Sequence, residues 1–213
     1  MFRLRFVEAF LNRSRRATGS VLVLLVDKRA RHHVILGIPQ PCCREENAAV
    51  TRIITISEIA SGLHARFALL DAQAPAHAEM LWRLARRGTS HDAIHAMWTG
   101  PEISCPIMAS SFPPDAPSSF PAQNATSFPE SGEIATVLGP SGRWKDAPAE
   151  DFFDIGIFYD RGARLLMPMG WIMASVAACV LPEDFDHLQR SCRLIRHAGA
   201  CRLTFGTGPE TRD

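Results

Sequence analysis

Ser110-Ser111-Phe112-Pro113, Ser118-Ser119-Phe120-Pro121 and Thr126-Ser127-Phe128-Pro129 are three copies of an eight-residue unit, set end to end in mid-chain. Residues 99–132 around them hold seven prolines and few aliphatic side chains beyond Ile103, Ile107 and Met108. Proline removes a backbone donor and blocks helix, so this stretch predicts extended, polyproline-like chain. It reads as a Pro/Ser/Phe-rich unstructured segment. The fold expected from it is α+β, with two small mixed lobes. Residues 1–98 form a lobe with a basic N-terminus, 99–132 the octad-repeat linker, and 133–213 a smaller α+β lobe.

Three phenylalanines at equal spacing in a solvated tether are candidate partner-binding residues. Linking weak sites raises effective concentration, which makes Phe112, Phe120 and Phe128 a plausible tether for a protein partner. Tandem duplication without a selected role is the other reading of the same repeat.

On the N-terminal side, residues 2–15 show helical apolar spacing. Val21–Val26, His33–Leu36 and Arg52–Ile56 read as strands. A helix fits Glu58 to Ala72. Pro75 opens another helix at its first turn, Gly88 ends it, and Ser90 caps a short helix to Trp98. On the C-terminal side, Glu133–Leu138 and Phe153–Phe158 read as strands around a turn at Gly139–Gly142. An apolar helix is expected over 164–181, broken by Pro182. Glu183-Asp184 then start a helix to about His197, Gly199 stops it, and Cys201–Phe205 is the last strand.

Of the 213 residues 46% are apolar and 21% charged, with net charge +1, which excludes global disorder and a polycation. The charge is uneven. Residues 1–33 hold eight Lys/Arg against Glu8 and Asp27, while 90–182 hold four basic and ten acidic residues. A basic face of this kind suits nucleic acid or an acidic protein surface. The six cysteines, Cys42, Cys43, Cys105, Cys179, Cys192 and Cys201, form no C-x-x-C pair or disulfide framework. Reduced thiols are expected, and with them a cytoplasmic location.

The Arg-rich first twenty residues are similar to a presequence or a membrane-surface helix, and equally to an ordinary amphipathic helix. Leu165 to Leu181 is uncharged over seventeen residues. That is the lower limit for a membrane span, and a buried core helix has the same pattern.

Four motifs carry chemical possibilities. Gly62-Leu63-His64-Ala65-Arg66 resembles the active-site motif of HPr, the histidine phosphocarrier of the sugar phosphotransferase system, with Phe67 in place of that family's proline. The resemblance implies a phosphoryl group on His64, at a helix start, steadied by Arg66. Leu84-Ala85-Arg86-Arg87-Gly88-Thr89-Ser90-His91-Asp92-Ala93-Ile94 looks like a helix-turn-helix segment, which implies that Arg83, Arg86 and Arg87 face phosphates. Arg13, Arg15 and Arg16 would extend that basic surface.

Gly139-Pro140-Ser141-Gly142-Arg143-Trp144-Lys145-Asp146 echoes a Walker A loop, with Trp144 and Asp146 in place of the residues that approach phosphate and magnesium. His91 and His95, four apart on the expected helix, could share one metal but have no third ligand placed by sequence, and His187, Cys192 and His197 at five-residue steps on a helix point in different directions, with Cys201 beyond them. Asp151 and Asp154 flank Phe152 and Phe153 without a visible partner. No catalytic residue, metal or cofactor is expected. The reading is a non-enzymatic binding or regulatory protein with an arginine-rich surface that contacts nucleic acid. A phosphocarrier centred on His64, or a membrane-associated protein using Leu165–Leu181, are the alternatives.

Overall fold

The computed structural model describes residues 52–142 and 148–208. Along Leu63–Leu69 every second side chain is buried: Leu63, Ala65, Phe67 and Leu69 point inward and His64 lies exposed. Period two belongs to a strand, so this stretch is β2, not the expected helix over Glu58 to Ala72. The same alternation places Ile54 and Ile56 of β1 (Ile53–Glu58) inside.

The remaining strands are β3 (Ser90–His95), β4 (Glu102–Met108), β5 (Ala125–Thr126), β6 (Glu133–Gly139), β7 (Phe152–Phe158), β8 (Leu166–Met167), β9 (Gly170–Trp171), β10 (Ala174–Val180) and β11 (Ala200–Thr207). The main sheet runs β2-β1-β11-β3-β4-β7-β6-β10-β5, and β10 pairs again with β2 through Ala178↔Leu69 and Val180↔Phe67. That second pairing closes an eight-strand antiparallel barrel, with β5 attached outside the ring along β10. Closure removes the free edges that an open sheet would leave, and eight strands leave an interior that side chains fill.

Two helices complete the core. Helix α1 (Pro75–Arg87) starts on Pro75 and ends at Gly88, whose φ of 61° is the left-handed cap that glycine takes without penalty. It buries Ala78, Met80, Leu81, Leu84 and Ala85. Helix α2 (Phe185–Ala198) buries Leu188, Cys192 and Ile195. Helix α1 follows the Leu69 end of β2, whereas α2 begins beside Gly62 and Arg66 and leads into β11. They therefore meet the barrel at opposite ends, and both contribute to one cluster with Ile54, Phe67, Ile103, Phe153, Ile155 and Phe205.

These facts correct the two-lobe α+β reading. The stretch taken as linker contributes β4, which pairs with β3 on one side and β7 on the other. Ile103, Cys105 and Ile107 alternate into the core from it. The octads are packed as well. Phe112 and Phe120 lie against the core, Phe120 only 4.7 Å from the Phe153 ring. Gln123 accepts from Ala76 N–H at 3.0 Å, and Asn124 donates to the Val176 carbonyl at 3.0 Å. Proline density marks absence of helix, but it does not forbid an extended chain that buries every second side chain.

Two more expected helices are strands. Ser90–His95 is β3, so Gly88 is followed by a strand and the helix-turn-helix reading is overturned. Within 164–181 the chain makes the β8–β9 hairpin and β10, all seven residues of which are buried. A strand covered on both faces has the same continuous apolar run as a core helix. Among the described residues no helix is long and apolar enough to cross a membrane. The expected helix 2–15, the strands Val21–Val26 and His33–Leu36, and Arg13, Arg15 and Arg16 lie outside the described residues.

Candidate functional site

Three neighbouring strands, β4, β7 and β6, send Ile103, Cys105, Ile107, Phe153, Ile155, Ile157 and Ile134 into the core. Alternation therefore turns Glu102, Ser104, Asp154, Gly156, Ala135 and Val137 to the outer wall. The chain after β7 folds back over part of that wall. Ala163, Leu165, Ala174 and Val176 form a second, smaller cluster there with Ala135 and Phe158.

The β8–β9 hairpin turns through Pro168 and Met169, with Gly170 at φ 114°, a conformation that excludes most other residues. Between hairpin and wall lies an open pocket of about 330 Å³. Val137, Leu138, Gly139, Phe152 and Asp154 line it from the barrel; Met167, Met169, Trp171, Ile172 and Met173 line it from the hairpin side. Met169, Trp171 and Met173 are about half exposed.

The third octad holds the hairpin in place. Leu165 N–H donates to the Ser127 carbonyl at 2.8 Å, and Ser127 Oγ donates to the Ile172 carbonyl at 2.8 Å. The exposed Phe128 ring lies 5.2 Å from Trp171. Thus the repeat that looked like a tether supports one side of the pocket.

Asp154 is the one ionisable side chain among the lining residues. Ser104 Oγ donates to its Oδ1 at 2.8 Å, which sets its orientation. Burial holds its carboxyl above the usual range, against the opposing effect of the Ser104 and Ile155 hydrogen bonds. On the same outer face Glu102 is buried and accepts from Thr99 Oγ1. Burial, and next the Asp154 charge, push Glu102 up to about 8. Gly156 leaves room for it, since a Cβ there would collide with Glu102 Oε1. Among the described residues no ion pair reaches either carboxyl.

The residues singled out from sequence are scattered. His64 stands in mid-strand on β2, exposed, so the helix start implied by the HPr resemblance is absent; its N–H lies 3.3 Å from His187 Nε2. Arg66 is committed to Asp184 at 2.8 Å and Glu183 at 3.0 Å. Arg83 pairs with Glu79 at 2.7 Å and with Asp115. Arg86 and Arg87 are exposed, Arg87 donating to the Phe112 carbonyl at 3.3 Å. His91 meets Thr89 and His95 meets Tyr159, each at 2.8 Å, and no group of three or more His, Cys, Asp or Glu among the described residues is placed to hold a metal.

Asp154 was visible in the sequence but partnerless, because Ser104 lies fifty residues away along the chain. The polar–apolar alternation Glu102-Ile103-Ser104-Cys105 was the signal that could have placed both on one wall.

A closed antiparallel barrel, plugged by two helices and bearing a pocket on its outer wall, is the class of protein defined here. The chain belongs to the family DUF3830, described as a protein of unknown function, whose profile matches residues 54–207. Among solved structures, McbB in complex with tryptophan is 16% identical with a TM-score of 0.52, over 75% of this chain and 46% of McbB. This chain thus corresponds to about half of McbB, and the likeness is one of fold. The Mimivirus cyclophilin matches at 15% identity and TM-score 0.45, over 76% of this chain and 89% of that one. A cyclophilin-type peptidyl-prolyl cis-trans isomerase of Cryptosporidium parvum matches at 13% identity and TM-score 0.38, over 76% and 99%. No curated protein matches the sequence.

Proposed function

We propose that this DUF3830 member is a non-enzymatic binding protein whose ligand, a small molecule with an apolar body, seats on the outer wall between β6–β7 and the β8–β9 hairpin. One observation carries this reading. The barrel interior is filled by its own side chains, whereas the outer wall keeps a pocket of about 330 Å³ lined by methionine, tryptophan and phenylalanine. Pockets of that size with an apolar lining and a single oriented polar group are the usual form of a small-molecule site. Methionine adapts its shape to what it meets, and Trp171 supplies a large rigid face. The free thiols of Cys105, Cys192 and Cys201 favour a cytoplasmic setting.

The test is calorimetric titration with a neutral arylalkyl alcohol, phenylbutanol, against the native chain and Val137→Trp, which fills the pocket from β6. Saturable binding to the native protein, weakened about tenfold or more in Val137→Trp, is expected. Equal affinity in the two proteins overturns the reading.

A further inference from the structure

We infer that the ligand carries a basic nitrogen, an alkyl- or arylalkylammonium group seated against the Asp154 carboxyl with its apolar arm beneath Trp171 and the methionines. The inference rests on the pocket reading above and specifies the ligand's chemistry.

Charge balance is the first argument. Along β4 and β7 the outer wall presents two carboxyl groups, Asp154 in the pocket and Glu102 behind it, and among the described residues no arginine, lysine or histidine lines the pocket. Elsewhere on the described surface acidic groups find cations: Asp71 and Glu79 have Arg52, Asp184 has Arg66, Asp160 has Arg193 and Asp92 has Arg202. A carboxylate withdrawn from water without a counter-charge is costly, and a cationic ligand removes that cost.

Geometry is the second. Ser104 Oγ and the Ile155 N–H donate to Asp154, and donors of this kind orient a carboxylate as an acceptor. Third, Trp171 and Phe152 line the same pocket, and an aromatic face attracts an ammonium group, most strongly where water is excluded. Among the described lining residues an anionic ligand would find no donor side chain but the Trp171 ring N–H.

The proton balance is simple. In the empty pocket burial favours the protonated Asp154. An ammonium ion seated against it favours the ionised carboxylate; whatever proton Asp154 gives up leaves to solvent, the ammonium keeps its own, and no covalent bond other than that O–H changes. Glu102 and the Cys105 thiol, both from β4, are the titratable groups that share the electrostatic environment of Asp154, and each resists a second negative charge there. Amine affinity therefore rises with pH as Asp154 loses its proton.

The experiment titrates phenylbutylamine, phenylbutanol and phenylbutyrate into the native chain, Asp154→Asn and Ser104→Ala, each at two pH values. On the native protein the amine should bind about tenfold tighter than the alcohol, the acid weakest, with the amine's advantage larger at the higher pH. The amine-to-alcohol ratio should fall to about one in Asp154→Asn and by several-fold in Ser104→Ala, so either variant that folds decides the matter. Equal affinity for amine and alcohol, or a preference that survives Asp154→Asn, overturns this inference and leaves the apolar pocket standing. Failure of all three compounds to bind overturns the pocket reading and this inference with it.

Discussion

His77 Nε2 on α1 lies 3.0 Å from the carbonyl of Pro121 in the second octad. A carbonyl only accepts, so Nε2 carries the hydrogen. Nδ1, 2.7 Å from Thr136 Oγ1, is then the acceptor from that hydroxyl. One neutral ring thus ties a helix, a barrel strand and the proline-rich segment together, and Phe120 meets it edge-on at 5.5 Å.

His77→Ala should cost about 2–4 kcal/mol in chemical denaturation, because it leaves the Thr136 hydroxyl only its long contact with the Ser175 carbonyl and opens a cavity under Phe120. The pH dependence follows from burial, which holds the His77 pKa below its ordinary 6.5. The unfolded chain then binds more protons than the folded one. This contribution is complete above about pH 6.5 and declines as pH falls below it, toward the folded-state pKa. The stability loss between about pH 7 and pH 5 should be smaller in His77→Gln than in the native protein. Identical slopes would show that His77 is not the group concerned.

Glu102 acts with the opposite sign. Its folded-state pKa is about 8 against an ordinary 4.5, so its favourable contribution is complete below about pH 4.5 and is lost as pH rises toward 8. Glu102→Gln can still accept from Thr99 and never ionises. It should match the native protein near pH 5 and exceed it by roughly 2–4 kcal/mol near pH 9. A variant less stable than the native chain at the higher pH would contradict this account.

The three octads should differ in energy despite their matching sequences. Phe120 packs on Phe153 and His77, so Phe120→Ala should cost about 3–5 kcal/mol. Phe128 is 62% exposed and touches Trp171 at the pocket edge, so Phe128→Ala should cost under about 1 kcal/mol. Equal small losses at both positions, measured by thermal unfolding, would contradict the packing of the second octad on Phe153.

Gly156→Ala tests the fit of the outer wall. Its Cβ would collide with Glu102 Oε1 and approach the Phe158 ring at 2.9 Å. Destabilisation of about 1–3 kcal/mol is expected. Combining it with Glu102→Ala should recover part of that loss in a double-mutant cycle, whereas strict additivity would place the two residues out of contact.

The elements that the sequence predicted correctly are those whose signals are local. Pro75 and Gly88 bound α1 because one supplies a helix-ready φ and the other a left-handed cap. Gly199 ends α2 in the same local way, and Glu133–Leu138, Phe153–Phe158 and Cys201–Phe205 have side chains suited to strands. Leu63–Leu69 misled because its inward set, Leu63, Ala65, Phe67 and Leu69, includes one small residue while the opposite face carries the apolar Ala68, which blurs the alternation that makes a strand.

Composition and turn chemistry alone determined a folded α- and β-containing chain, the bounds of its two described helices and four of the eight barrel strands, β1, β6, β7 and β11. Only tertiary structure decided that the strands form one closed ring, because closure depends on β2 meeting β10 more than a hundred residues away. It also decided that the octads are ordered. A phenylalanine between prolines is solvated or buried according to whether a wall such as Phe153 stands beside it, and no local signal reports that. The pocket arises for the same reason. Asp154, Ser104 and Trp171 are unremarkable where they fall in the chain, and only antiparallel pairing and a folded-back hairpin bring them to one site.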